Sequence, residues 1–257
     1  MPSFSQSYRD ELEERIDERG ELIEERLEDI PRGRTTPQLD SQSLHSARKY
    51  RLGMCFVDIN NFTDYSRRNE DRDALFMLNT FISETMELVR DYEGRLEKNT
   101  GDGILAYFGA GDADDEAVET LLEYVATLKW VLANHVNPML RRKDIETVTM
   151  SVGATYSNVN ISRIGARSGK QQMNRLTAVS SGANVASRLE SMAGVNEYFM
   201  NDGIYNYSDK ENGWGQYLQH KGRHEGFRWG SESSGYDPAN YYNFSGIWKS
   251  TVGSNLR

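Results

Sequence analysis

The chain has 257 residues, 37% apolar and 27% charged, with a formal net charge of −9 and a single cysteine. That length suits one domain of about 150 to 200 residues with appendages, or two small ones, and the acidic balance argues against a nucleic-acid scaffold, since phosphate backbones attract basic patches. No apolar run nears the ~18 residues that span a bilayer and no signal-peptide core opens the chain, so a soluble cytoplasmic protein without a membrane span is expected.

In chain order, residues 8–30 are dense in Glu and Arg, with Leu12, Ile16, Ile23, Leu27 and Ile30 forming a narrow apolar seam. Such a helix can pack on its own domain or pair with a second copy across a dimer. Pro31, Gly33 and Pro37 end it, and residues 31–47 read as a linker. The division is therefore a charged helix and linker over 1–47 and one catalytic-size domain over 48–257. Residues 201–257 form an aromatic-rich extension of that domain, whose Trp214, Trp229 and Trp248 are expected to pack rather than cage a ligand.

The domain opens on YRLGMCFVDI, whose near-continuous apolar run predicts a buried central strand. Cys55 lies inside it and reads as a buried structural thiol. Residues 73–91 place Leu75, Leu78, Phe81, Ile82, Met86 and Val89 on one helical face. RLEKN and GILAYFG form a hairpin, with Asp102-Gly103 as the dipeptide that favours a type I′ turn. Residues 114–136 predict a second amphipathic helix, and TVTMSVGATYS and NVNISRIG two further strands. SSGANVASRLESMA opens a third helix. The order β-α-β-β-α-β, with additions, predicts an α+β fold with helices on one face of a largely antiparallel sheet.

Three motifs carry chemistry. FVDINNFT ends a strand in a polar turn, where Asp58 can ligate a metal while backbone N–H groups from Ile59 through Asn60, Asn61 and Phe62 to Thr63 wrap phosphates. Alone, this is an ordinary strand end. TGDG presents Asp102 from the hairpin, and neighbouring strands ~4.8 Å apart would bring it to Asp58. Two carboxylates so placed can hold two divalent cations. In NVASR, Asn184 and Arg188 are four residues apart and share a helical face, where Arg188 offers a planar cationic fork to a phosphate.

FVDINNFT, EKNTGDGILAYFG, SVGATYSNVNISRIG and TAVSSGANVASRLE, in this order over residues 50–195, resemble the four signatures of class III nucleotide cyclases. The resemblance implies a ferredoxin-like cyclase homology domain. It implies two Mg²⁺ or Mn²⁺ ions at Asp58, Ile59 and Asp102. Arg188 takes the transition-state position, Asn184 the ribose-orienting one, and Lys98 and Thr177 the base-contacting ones. A phosphate-binding lysine matches Lys221, with Arg223 as a rival. It further implies a homodimer with two composite sites, the metal aspartates of each coming from one subunit and the remaining residues from the other. Asn61, Ser157 and Ser162 stand where the family usually has glycine, and SSGAN where it has GDTVN.

Lys98 with Thr177 is the pairing expected of bacterial adenylate cyclases. The phrase ARKYRLGMCFVDINNFTDYSRRN, the short acidic helix and the aromatic tail are instead similar to the pyrimidine cyclases of bacterial anti-phage (Pycsar) systems. That resemblance implies cyclisation of UTP ahead of CTP, producing a messenger for a separate cyclic-nucleotide-sensing effector. An adenylate cyclase acting on ATP is the alternative, and a non-catalytic nucleotide-binding dimerisation module a further one.

Overall fold

Strand β1 (Ala47–Ile59) is the backbone on which the molecule is organised, and the reason lies in its composition. Leu52 and Met54 are buried on one face and Cys55, Val57 and Ile59 on the other, so the strand is stable only with cover on both sides. The computed structural model describes residues 4–26, 47–165, 174–224 and 239–249.

After helix α1 (Gln6–Arg26) and β1 come α2 (Phe62–Arg68), α3 (Asp71–Asp91), β2 (Arg95–Asn99), β3 (Gly103–Phe108), α4 (Asp114–Val131) and α5 (Asn137–Arg142). Then follow β4 (Met150–Gly165), β5 (Asn174–Val179), α6 (Ser181–Met192), β6 (Tyr198–Asn201), α7 (Asp202–Tyr207), β7 (Leu218–His224) and β8 (Ala239–Phe244). Among the described residues the strands form one eight-stranded sheet in the order β2-β3-β1-β4-β6-β8-β7, with β5 paired to the outer end of β4. All described pairings are antiparallel except β4 with β6.

Helices cover both faces of this sheet, not the single face expected. Gly53 faces α4, where an added Cβ would lie 2.8 Å from Leu121. Gly153 faces α6, where a Cβ would lie 2.1 Å from the Ala186 carbonyl oxygen and 2.1 Å from the Glu190 nitrogen. The larger core lies on the α3/α4 side, and α6 closes a smaller one of Leu52, Met54, Leu105, Tyr107, Val159, Ile161 and Ala186.

Other expectations change in detail. The two strands read over residues 147–165 are the one strand β4, because β1 pairs with it continuously from Met150 to Ser162. Helix α4 is buried almost all round, from Ala117 to Val131, so it is a core helix rather than an amphipathic one. In α3 the buried stripe is centred on Met77, Phe81, Ile82, Leu88 and Val89, while Leu75, Leu78 and Met86 are half-buried. The β2–β3 turn has its left-handed residue at Gly101 (φ +110°), not at Asp102 or Gly103. The Asn99 side chain accepts the Gly101 N–H at 2.8 Å and Thr100 N–H reaches Gly103 O at 2.9 Å, which leaves Gly101-Asp102 as a two-residue loop that, with positive φ at Gly101 alone, is not type I′.

The seam of α1 packs into the main core: Tyr8, Leu12 and Ile16 are buried there. Burying each aliphatic side chain is worth about 2 kcal/mol. Arg15 fixes the docking through Glu84 and Asp91, both at 2.7 Å. Trp214 packs against Phe244 and Trp248, and Trp248 stacks on Phe4 at 4.3 Å, so these aromatics act in packing. Ile23 and Ser162 are described by backbone alone, while Leu27, Ile30, the linker 31–46 and Trp229 lie outside the described residues. No helix among the described residues is long and apolar enough to cross a membrane.

Candidate active site

The sheet register brings the two aspartates together. Asp58 is the cross-strand partner of Gly103 on β3 and of Ser151 on β4, and the Ile59 N–H donates to the Asp102 carbonyl at 3.1 Å. Asp102 therefore sits one residue beyond the position directly opposite Asp58. A Cβ at Gly103 would fall 2.4 Å from Asp58 Oδ1, so only glycine leaves room for that carboxylate.

Among the described residues no counter-charge stands beside the two aspartates. Burial first, then Asp102, then Glu190 push the Asp58 carboxyl up to about 7 from an ordinary 3.8. Among the described residues neither aspartate has a basic partner. Two carboxylates crowded at the end of rigid strands, one of them destabilised as an anion, are a donor set that suits divalent cations. Among the described residues no three metal-ligating side chains converge, so this chain offers the two carboxylates and backbone oxygens such as that of Ile59.

The turn after Asp58 is tighter than expected. Asn60 N–H donates to Thr149 O at 2.9 Å and Ile59 N–H is committed to Asp102, so neither is available to a phosphate. The donors at the open start of α2 are those of Asn61, Phe62 and Thr63. Asn61 has φ 59° and ψ 23°, the left-handed conformation that favours glycine and that asparagine tolerates best among the rest. Asn60 Oδ1 is buried and has no partner.

Lys98 projects from the same face of the sheet as Asp58, since Lys98, Leu105 and Phe56 are cross-strand neighbours. Its Nζ lies 5.6 Å from the centre of the Phe56 ring. A β-bulge sits beside it at Glu97. Glu97 is half-buried, which raises its carboxyl, and it accepts the backbone N–H of Ala178, next to Thr177. Lys98 and Thr177, the two positions expected to contact the base, are thus joined within one chain by a carboxylate that the sequence does not single out.

Asn184 and Arg188 stand elsewhere. Helix α6 starts at Ser180, whose hydroxyl accepts the Ala183 N–H at 3.1 Å. Its buried stripe is Gly182, Val185, Ala186 and Leu189, which leaves Asn184 and Arg188 on the opposite, exposed face. Gly182 accommodates Ser157, the serine at a family glycine position: a Cβ at Gly182 would lie 2.0 Å from Ser157 Oγ. Lys221 is remote from the aspartates of its own chain. It lies on edge strand β7, with β8, β6 and β4 between it and β1, and pairs with Glu197 at 2.9 Å. Arg223 is on the same strand and exposed. One chain therefore carries every expected element, with Asp58 and Asp102 adjacent at the end of the central strands, Lys98 and Thr177 linked through Glu97, Asn184 and Arg188 on the outer face of α6, and Lys221 at the far edge of the sheet.

Residues 44–222 match the family described as adenylate and guanylate cyclase catalytic domain. The chain belongs to this family. It is 21% identical over 155 residues to a cytidylate cyclase of Staphylococcus aureus, covering 60% of this chain and 36% of the relative. It is 23% identical over 157 residues to a cytidylate cyclase of Escherichia coli, covering 60% of this chain and 35% of that one. The chain thus spans about a third of the length of the curated relatives it matches. Among solved structures it is similar to the adenylyl cyclase CyaB from P. aeruginosa, with TM-score 0.64 and 18% identity over 77% of this chain and 95% of the other. The cyclase domain is of class III, a mixed α+β fold on one large sheet.

Proposed function

We propose that this class III cyclase acts as a homodimer on a pyrimidine ribonucleoside triphosphate. It forms the 3′,5′-cyclic monophosphate and releases pyrophosphate. The observation that carries the reading is the division just described. Asp58 and Asp102 are neighbours where the end of β1 meets the β2–β3 turn, while Asn184 and Arg188 face outward on α6. Each active site is then built from the aspartates of one subunit and from Lys98, Thr177, Asn184, Arg188 and Lys221 or Arg223 of the other.

Asp58 and Asp102, with the Ile59 carbonyl, would hold two Mg²⁺ or Mn²⁺ ions, which supply a more acidic ribose 3′-hydroxyl and neutralise the triphosphate. The 3′-oxygen bonds to the α-phosphorus, the bond from that phosphorus to the bridging oxygen of pyrophosphate breaks, and the hydroxyl proton passes to solvent. Arg188 stabilises charge that grows on the phosphoryl oxygens, and Asn184 holds the ribose so that attack is in line. Asn61, Phe62 and Thr63 offer backbone donors to the phosphates. Lys98 and Thr177, aligned by Glu97, meet the base.

The pyrimidine assignment is supported by the names of the curated relatives, which put CTP beside UTP as the substrate to test first. The Lys98–Thr177 pair keeps ATP as a second reading. A role in anti-phage signalling, through a separate effector that senses the product, follows from the same pyrimidine resemblance. Incubating the purified protein with each of the four ribonucleotides and Mn²⁺ tests the substrate directly. Cyclic CMP or cyclic UMP is expected, and conversion of ATP alone would overturn the pyrimidine reading.

A further inference from the structure

Glu190 is the residue of α6 that reaches back toward the aspartates. The helix lies so close on β4 that its backbone at Ala186 and Glu190 fills the space a side chain at position 153 would need. There, Ser151 Oγ donates to Glu190 Oε1 at 2.8 Å. Ser151 is buried and is the direct cross-strand partner of Asp58. The Glu190 carboxylate is thereby held one side chain away from Asp58. Among the described residues it forms no three-carboxylate ligand cluster with Asp58 and Asp102, so it stands behind Ser151 rather than among the ligands.

We propose that Glu190 is a positioning residue of the metal site: a third, non-ligating carboxylate, oriented by Ser151, whose charge strengthens cation binding at Asp58 and Asp102. This rests on the reading of those two aspartates as metal ligands. The physical reason is that carboxylates which repel one another in a partly buried site are relieved by a divalent cation, and each negative charge adds to that relief. Groups that act from behind the ligands commonly change metal affinity by about 10- to 100-fold. Glu190 also shares α6 with Arg188, so the helix that presents the phosphate arginine outward is anchored, through Ser151, beside the metal aspartate of its own chain.

Glu190→Gln separates charge from structure, because a glutamine oxygen can still accept from Ser151 and fill the same volume. Mn²⁺ alone, titrated into the full chain and followed by loss of the free-ion EPR signal, is the probe. Glu190→Gln is expected to weaken Mn²⁺ binding about tenfold with its melting temperature little changed, and Glu190→Asp to bind nearly as the wild type does. Equal Mn²⁺ affinity in Glu190→Gln and wild type would overturn the proposal and leave Glu190 a helix anchor. Asp58→Asn, run in parallel, separates the two levels: Mn²⁺ binding undiminished in that variant would mean that the metal assignment has failed, and the inference with it.

Discussion

The two groups of site residues are held by different physics. Asp58 and Asp102 are placed by backbone: β1 is locked between β3 and β4 along its length, and the carboxylates inherit that rigidity. Asn184 and Arg188 are placed by a twelve-residue helix whose one buried stripe rests on the sheet. The first group is precise and electrostatically strained before any cation arrives. The second is exposed and leaves its own chain's aspartates behind. A site assembled from both requires that the strained half of one copy meet the exposed half of another.

The sharpest break of the strand half is Asp58→Asn. Activity should fall to background, and the protein should become more stable in chelator at pH 8. The sign follows from the carboxyl standing near 7 in the folded protein against 3.8 ordinarily. Between those values the native state binds more protons than the unfolded chain, so stability is lost as pH rises through the window and the ionised group is a cost above it. Thermal melts in chelator should show the variant above wild type at pH 8 and the gap closing toward pH 4.

On the helix half, Arg188→Ala should lower kcat by roughly 100- to 1,000-fold with a much smaller change in KM, since it acts on charge that develops in the transition state. Steady-state kinetics decides this, and equal losses in both constants would mean ground-state binding only. Gly103→Ala comes next. Its Cβ would lie 2.4 Å from Asp58 Oδ1 and 2.5 Å from the Val57 carbonyl oxygen, so β1 itself must shift: Mn²⁺ affinity and turnover should drop together by about tenfold or more, with a loss of thermal stability beside them. The smallest effect is expected from Ser180→Ala, which removes the cap of α6 at about 1 kcal/mol of stability and should lower activity only slightly. Chemical denaturation beside an activity assay measures both.

Much of the strand half was legible in the sequence. A run buried on both faces announces a central strand, and a turn with Asp-Gly after a second run announces its neighbour. The convergence of Asp58 with Asp102 follows from that neighbourhood. What could not be read is which face each helix takes, because α3 and α6 carry the same 3.6-residue period and only topology separates them. The continuity of β4 was hidden by polar residues at Ser157 and Asn158, which long-range pairing with β1 overrides. The turn residue was misplaced because the Asn99 side chain, not the Asp-Gly pair, organises the loop. Glu97 and Glu190 escaped notice for a common reason: a carboxylate that turns inward has the same spelling as one that faces water. Lys221 was named without its distance from β1, which is set by strand order at the far edge of the sheet.

The claim that the two groups complete each other across a dimer is tested most directly by mixing subunits. Asp58→Ala and Arg188→Ala chains, each inactive alone, are refolded or co-expressed together and assayed with the preferred nucleotide. Half of randomly formed dimers are mixed and each carries one intact site, so roughly a quarter of wild-type turnover is expected. No activity in the mixture, with mixed dimers demonstrated by differential tagging, would contradict the composite site.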